Sequence, residues 1–209
     1  MSETIIYGFG IDGTCTEDEV RIRNAFRGGI RIWQLLEKKY LPVYRPCYVP
    51  ESVPDDEIEA FLGYPSSRIF SMSDEAAMKD IWNLFMAENV SETDKIVLGT
   101  TLDDVLVRRG NIQRCIEAFE AFDKEHEGDT SLKEQAEGLR TFLEDPNITA
   151  VGWNQTSICG DDWSNIGDPI IDEDGDECDS PYNFKTGKIH WWLFDAIGEA
   201  TEASDEENK

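Results

Sequence analysis

Apolar residues recur three and four positions apart most regularly at Ile112, Cys115, Ile116, Phe119 and Phe122, which predicts one buried helical face after a cap at Asn111. A second stripe, Leu132, Ala136, Leu139, Phe142 and Leu143, follows Ser131 and Glu134 at capping-box spacing and stops at Pro146. A third, less regular stripe runs from Val20 and Ile22 through Ala25, Phe26, Ile30, Trp33 and Leu36 to Leu41. It predicts a helix to about Tyr40, capped by Thr14 or Thr16, with Glu17, Asp18 and Glu19 in the first turn where the helix dipole favours acids. Gly28-Gly29 interrupts this stripe, and because each glycine costs about 1 kcal/mol inside a helix, a break or a close packing contact is expected there. Shorter helices are expected over 55–62, closed by Gly63, and after Ser73-Asp74-Glu75, with Ala77, Ile81, Leu84 and Phe85 on one face.

Between these stripes stand runs with strand character. Residues 4–11 form one, ending in the turn Asp12-Gly13. Ile96 to Thr100 and Val105 to Val107 flank Asp103-Asp104 as a hairpin would, residues 148–153 form a buried strand, and 188–194 form a last one. Pro42, Pro46, Pro50 and Pro54 exclude helix and predict an extended strap. The expected fold class is α+β: a single domain over residues 1–198, with a mixed or antiparallel sheet covered by several helices, an acidic loop, and an acidic mobile tail over 199–209.

Charge changes the picture. The 209-residue chain has 44 acids against 19 bases, a formal net charge of −25. Residues 1–50 carry 7 bases and 6 acids, so the other 159 residues carry −26. A surface of that sign repels phosphates, which excludes direct binding of nucleic acid or of an anionic membrane. It attracts divalent cations and basic proteins, including those whose basic groove holds nucleic acid. The five cysteines are widely spaced, with no CxxC pair, which argues against a disulfide framework or a zinc ribbon. With no basic leader at its start and no spanning apolar run, the chain reads as cytoplasmic.

Between Arg140 and Lys185 there are 11 acids and no Lys or Arg. This interval contains Asp161, Asp162, Asp172, Asp174, Asp176 and Asp179, the residues expected to dock on a basic partner protein. The corresponding function is occlusion: an inhibitor, nucleic-acid mimic or immunity-type protein whose carboxylates occupy a basic groove. The simpler reading of the same loop is a solvated charged segment. It is not an EF-hand, since counting from Asp172 places Gly175 fourth and Asn183 twelfth.

A second function class rests on the polar run after the strand at 148–153. Asn154, Gln155, Ser157, Asp161 and Asp162 would line a small-ligand site or a divalent-cation-dependent active site, with weak Ca2+ or Mg2+ the only cofactor suggested. No catalytic motif supports an enzyme. His126 reads as an exposed helix end, and His190 as a packed strand residue that could face Cys159 only by coincidence of fold. Gly8, Gly10 and Gly13 match G-x-G-x-x-G literally, but the acids that follow would compete with a phosphate. Arg23, Arg27 and Arg31 are spaced to share one helical face, to pair with acids or to hold an anion.

Overall fold

A computed structural model describes residues 3–40, 52–57, 60, 75–156, 162–178 and 180–198. In chain order the labelled elements are β1 (Glu3–Phe9), β2 (Cys15–Arg23), α1 (Ala25–Gly28), α2 (Ile30–Tyr40), α3 (Glu75–Met86), α4 (Glu92–Gly99), β3 (Val105–Arg108), α5 (Arg109–Glu125), α6 (Leu132–Glu144), β4 (Ala150–Gln155), β5 (Ile170–Ile171), β6 (Glu177–Cys178), β7 (Trp191–Trp192) and α7 (Leu193–Ala196). Five strands form one sheet in the order β2-β1-β4-β3-β7. Neighbouring strands are antiparallel except β3 and β7, which run parallel, so the sheet is mixed.

Alternation along the strands sorts their side chains to two faces. Ile6, Val105, Val107, Val151 and Trp153 join the large core built with the helices, whose contributions include Trp33, Leu36, Phe85, Phe119, Phe122, Leu139 and Phe142. Ile5, Tyr7, Phe9, Leu106 and Ala150 point the other way and join a second core with Trp163 and Tyr182. The helices therefore cover one face. The other is covered by the chain that follows β4. The molecule is a single α+β domain, as its patterning predicts.

Residues 15–23 are a strand, not the start of a helix. The Asp12-Gly13 turn reverses the chain, with Gly13 at φ +91 and the Asp12 carboxylate accepting from Thr14 N at 2.9 Å. Glu19 and Arg21 then lie two apart on one strand face, where Arg21 pairs with both Glu19 and Glu3. The Gly8 to Gly13 segment is thus a strand-turn-strand hairpin, with no helix start to receive a phosphate.

Ile96 to Thr100 also differs from expectation: it belongs mostly to α4, whose Ser91 cap accepts from Asp94 N at 3.2 Å. Ile96, Val97 and Leu98 are all buried, and an element buried on every side shows no period to separate helix from strand. The last strand is short, with only Trp191–Trp192 paired before α7 begins. Ser131 occupies the cap position of α6 without a side-chain cap bond, and α5 begins at Arg109, ahead of Asn111.

The expected break at Gly28-Gly29 separates α1 from α2. A Cβ at Gly28 would lie 2.3 Å from Thr4 Oγ1, so the close contact is there as well. Arg23 lies on β2, while Arg27 and Arg31 both hold the loop after α5. Arg27 donates to the carbonyls of Gly128 and Thr130, and Arg31 pairs with Asp129. Of the expected 55–62 helix, Asp55–Glu57 form a 3-10 turn. The remainder of that helix (residue 60 apart), most of the proline strap, residues 73 and 74, and the 199–209 tail lie outside the described residues.

Candidate functional site

The acidic segment is tied down by aromatic residues that punctuate it. Trp163, 2% exposed, meets Phe9 edge-on at 5.5 Å and Tyr182 at 5.2 Å. Its indole N–H donates to Trp153 O at 3.3 Å, above Gly152, where a Cβ would lie 2.8 Å from the indole nitrogen. Tyr182 N donates to Trp163 O at 3.0 Å, Cys15 N donates to Tyr182 O at 2.7 Å, and Phe184 N donates to Gly13 O at 3.0 Å. Both ends of the segment are therefore fastened to the β1–β2 hairpin and to β4. Beyond them, Tyr182 Oη and His190 Nδ1 share a 2.7 Å hydrogen bond, and Arg108 lies over Trp192 at 4.1 Å while pairing with Asp195. Burial and then the charge of Arg108 hold His190 below the usual histidine pKa.

Between the anchors, β5 and β6 form a small antiparallel hairpin, Ile170 opposite Cys178 and Ile171 opposite Glu177. Asp172 makes its turn. One carboxylate oxygen accepts from Asp174 N and Asp176 N, each at 2.9 Å, and Gly175 supplies φ +85. These backbone donors, that of Asp176 foremost, lower the pKa of Asp172. Asp168, Asp172, Glu173, Asp174, Asp176 and Glu177 are exposed. Asp162 is half-buried, and its charge, after burial and Glu19, helps push the Cys15 thiol up to about 12.

Elsewhere several bases are ion-paired: Arg31 with Asp129, Lys39 with Asp94 and Glu125, Arg108 with Asp195, Arg114 with Glu92, and Arg140 with Glu120. None of the ion pairs among the described residues uses an acid of 162–178. The negative field of the segment is thus left open to solvent.

Beside the hairpin lies a groove of about 540 Å³ between residues 166–170 and 180–189. Its floor is close-packed, since a Cβ at Gly167 would lie 2.0 Å from Ser180 O and one at Gly187 2.2 Å from the Tyr182 ring. Ile170 and Ile189 form apolar walls although 57% and 47% exposed, and Ile171 follows at 63%. Asp168 and Lys188 also border it. These isoleucines, and the anchors Trp163 and Tyr182, were not singled out from the sequence. The available signal was large apolar residues spaced through an otherwise acidic interval.

Of the six acids expected to meet a partner, Asp172, Asp174 and Asp176 come together on the hairpin, and Asp162 lies apart beside Trp163. Asp161 and Asp179 lie outside the described residues, as does Ser157. Asn154 and Gln155 are 2% and 0% exposed. Gln155 accepts from Thr4 Oγ1 at 2.5 Å and donates to Gly28 O at 3.1 Å, and the neighbouring Trp153 indole donates to Gln135 at 3.0 Å. Gln155 therefore helps cross-link β1, α1 and β4.

No group of three or more His, Cys, Asp or Glu among the described residues could hold a metal ion. His126 packs at a tilt against Phe122, ring centres 4.3 Å apart, at the end of α5. Cys159, the other half of the thiol and histidine pairing, is outside the described residues. No helix among them is long and apolar enough to cross a membrane. Comparison with protein-family models, with curated proteins and with solved structures finds no match for this chain.

Proposed function

We propose that this protein acts by occlusion, docking its acidic second face on a basic partner protein and blocking the surface that partner uses. The observation that carries the reading is the combination of anchoring and unpaired charge: Trp163 and Tyr182 hold the segment against the sheet, while its acids form no ion pair among the described residues. Preordered carboxylates dock with less loss of conformational freedom than a floppy acidic tail would. Their summed field speeds encounter with a basic groove and selects against acidic partners. A partner whose groove holds nucleic acid would then be competed directly.

The test is displacement of a short fluorescent DNA duplex from each of a panel of basic DNA-binding proteins, at ~50 mM and again at ~200 mM salt. Displacement from at least one of them, at a near-equal molar amount and weakened by salt, is expected. It should be lost when Asp168, Asp174 and Asp176 are changed together to Asn. No displacement at the lower salt, or equal displacement by the neutralised variant, sinks the reading.

A further inference from the structure

We infer that the groove between residues 166–170 and 180–189 takes a single apolar side chain from a basic segment of the partner, so that the docking face reads shape as well as charge. The inference rests on the occlusion reading and deepens it by naming the epitope. Three observations carry it. The groove is a concavity of about 540 Å³, enough for one large side chain and its flanking backbone. Its floor is close-packed: Gly167 sits against the Ser180–Pro181 backbone, and Gly187 against a Tyr182 ring hydrogen-bonded to His190 and to Ile189 N. Its apolar walls, Ile170 and Ile189, are about half exposed in a chain of net charge −25.

The surrounding charge decides the occupant. Asp168 stands in the groove wall, and Asp172, Glu173, Asp174, Asp176 and Glu177 extend from the adjoining hairpin, with Lys188 the base at the mouth. A second copy of this chain would bring the same acids against these, and like charges at close range oppose such a dimer. A segment carrying Lys or Arg on either side of an aromatic or branched apolar residue satisfies both halves of the surface. The apolar side chain fills the groove, where a desolvated centre concentrates binding energy, and the bases meet the rim.

The experiment compares two labelled peptides of equal length and charge by fluorescence anisotropy, one Arg/Lys-rich with a central Trp and one with Gly in its place. The Trp peptide should bind about tenfold more tightly. Ile170→Ser and Ile189→Ser should erase that preference while leaving the salt dependence of both peptides unchanged. Both side chains are exposed, so the variants keep the fold, which near-ultraviolet circular dichroism checks. Equal binding of the two peptides to the wild type overturns the groove inference and leaves charge-driven docking standing. Failure of both to bind at low salt overturns the occlusion reading beneath it. A concentration-dependent dimer that Ile170→Ser dissolves would overturn the assignment to a basic partner.

Discussion

The indole N–H of Trp163 donates to the carbonyl of Trp153 across 3.3 Å, joining the acidic segment to a strand in the middle of the sheet. Trp163→Ala removes this bond, the contacts to Phe9 and Tyr182, and most of a buried ring. A loss of about 3–5 kcal/mol in denaturant unfolding is expected, together with faster proteolysis between residues 164 and 178. A loss below about 1 kcal/mol would mean that the ring does not anchor the segment.

Glycine positions separate close packing from open space. Gly28→Ala forces a Cβ to within 2.3 Å of Thr4 Oγ1, disturbs the Thr4, Gln155 and Gln135 cluster, and should destabilise by about 1–3 kcal/mol. Gly110→Ala, on α5 with nothing within 4 Å, should stabilise by up to about 1 kcal/mol by restricting the unfolded chain. Urea midpoints measured side by side decide both, and similar shifts for the two variants would refute the distinction.

Burial holds both histidines below the usual value, aided at His190 by Arg108 and partly opposed at His126 by Glu125. As pH falls through about 6.5, the unfolded chain binds protons that the folded chain resists. The stability from neutral histidine is therefore present above that pH, falls as pH drops, and levels off below the depressed folded values. The double variant His126→Asn, His190→Asn should show a shallower decline in unfolding free energy than the wild type. Parallel curves would show that neither ring is held neutral by the fold.

A net charge of −25 predicts that salt stabilises the fold without any ligand. Raising NaCl from ~10 to ~150 mM shortens the screening length from about 30 to about 8 Å, and the melting temperature should rise. CaCl2 or MgCl2 at matched ionic strength should add only the small, non-saturating extra rise of diffuse divalent counterions, since the described residues assemble no three-ligand site. A larger rise that saturates with the concentration of either divalent ion would reveal a cation site and revive the ligand reading after β4.

The parts of this fold that could be read from residue order are those whose periodicity answers to a single exposed face. The stripes through Phe119 and Leu139 lie on helices with one wet side, and both are found where expected. β2 escaped because Glu17, Asp18 and Glu19 suit a helix start as well as an edge strand exposed on both faces there. α4 escaped because Ile96, Val97 and Leu98 are buried on every side. The acidic loop was legible as charge, yet its attachment was not: Trp163 and Tyr182 lie 19 residues apart and meet because both pack on the same face of the sheet. Ile170 and Ile189 acquire meaning only once they face the same groove.

The pairing of β1 with β4 joins distant parts of the chain. Thr4 meets Gln155 at a sequence separation of 151, so at ordinary elongation speeds the first strand waits on the order of 10–30 s for its central neighbour to be translated. During that interval the β1–β2 hairpin can close alone, with Ile5, Ile6, Tyr7 and Phe9 bare on both sides. Long sequence separation of this kind slows folding and prolongs the exposure of sticky intermediates. Glu17, Asp18, Glu19, Arg21 and Arg23 line the open edge of that nascent hairpin. Charges on an edge strand disfavour pairing with the edge of a second chain, which is the hazard such a delay would carry.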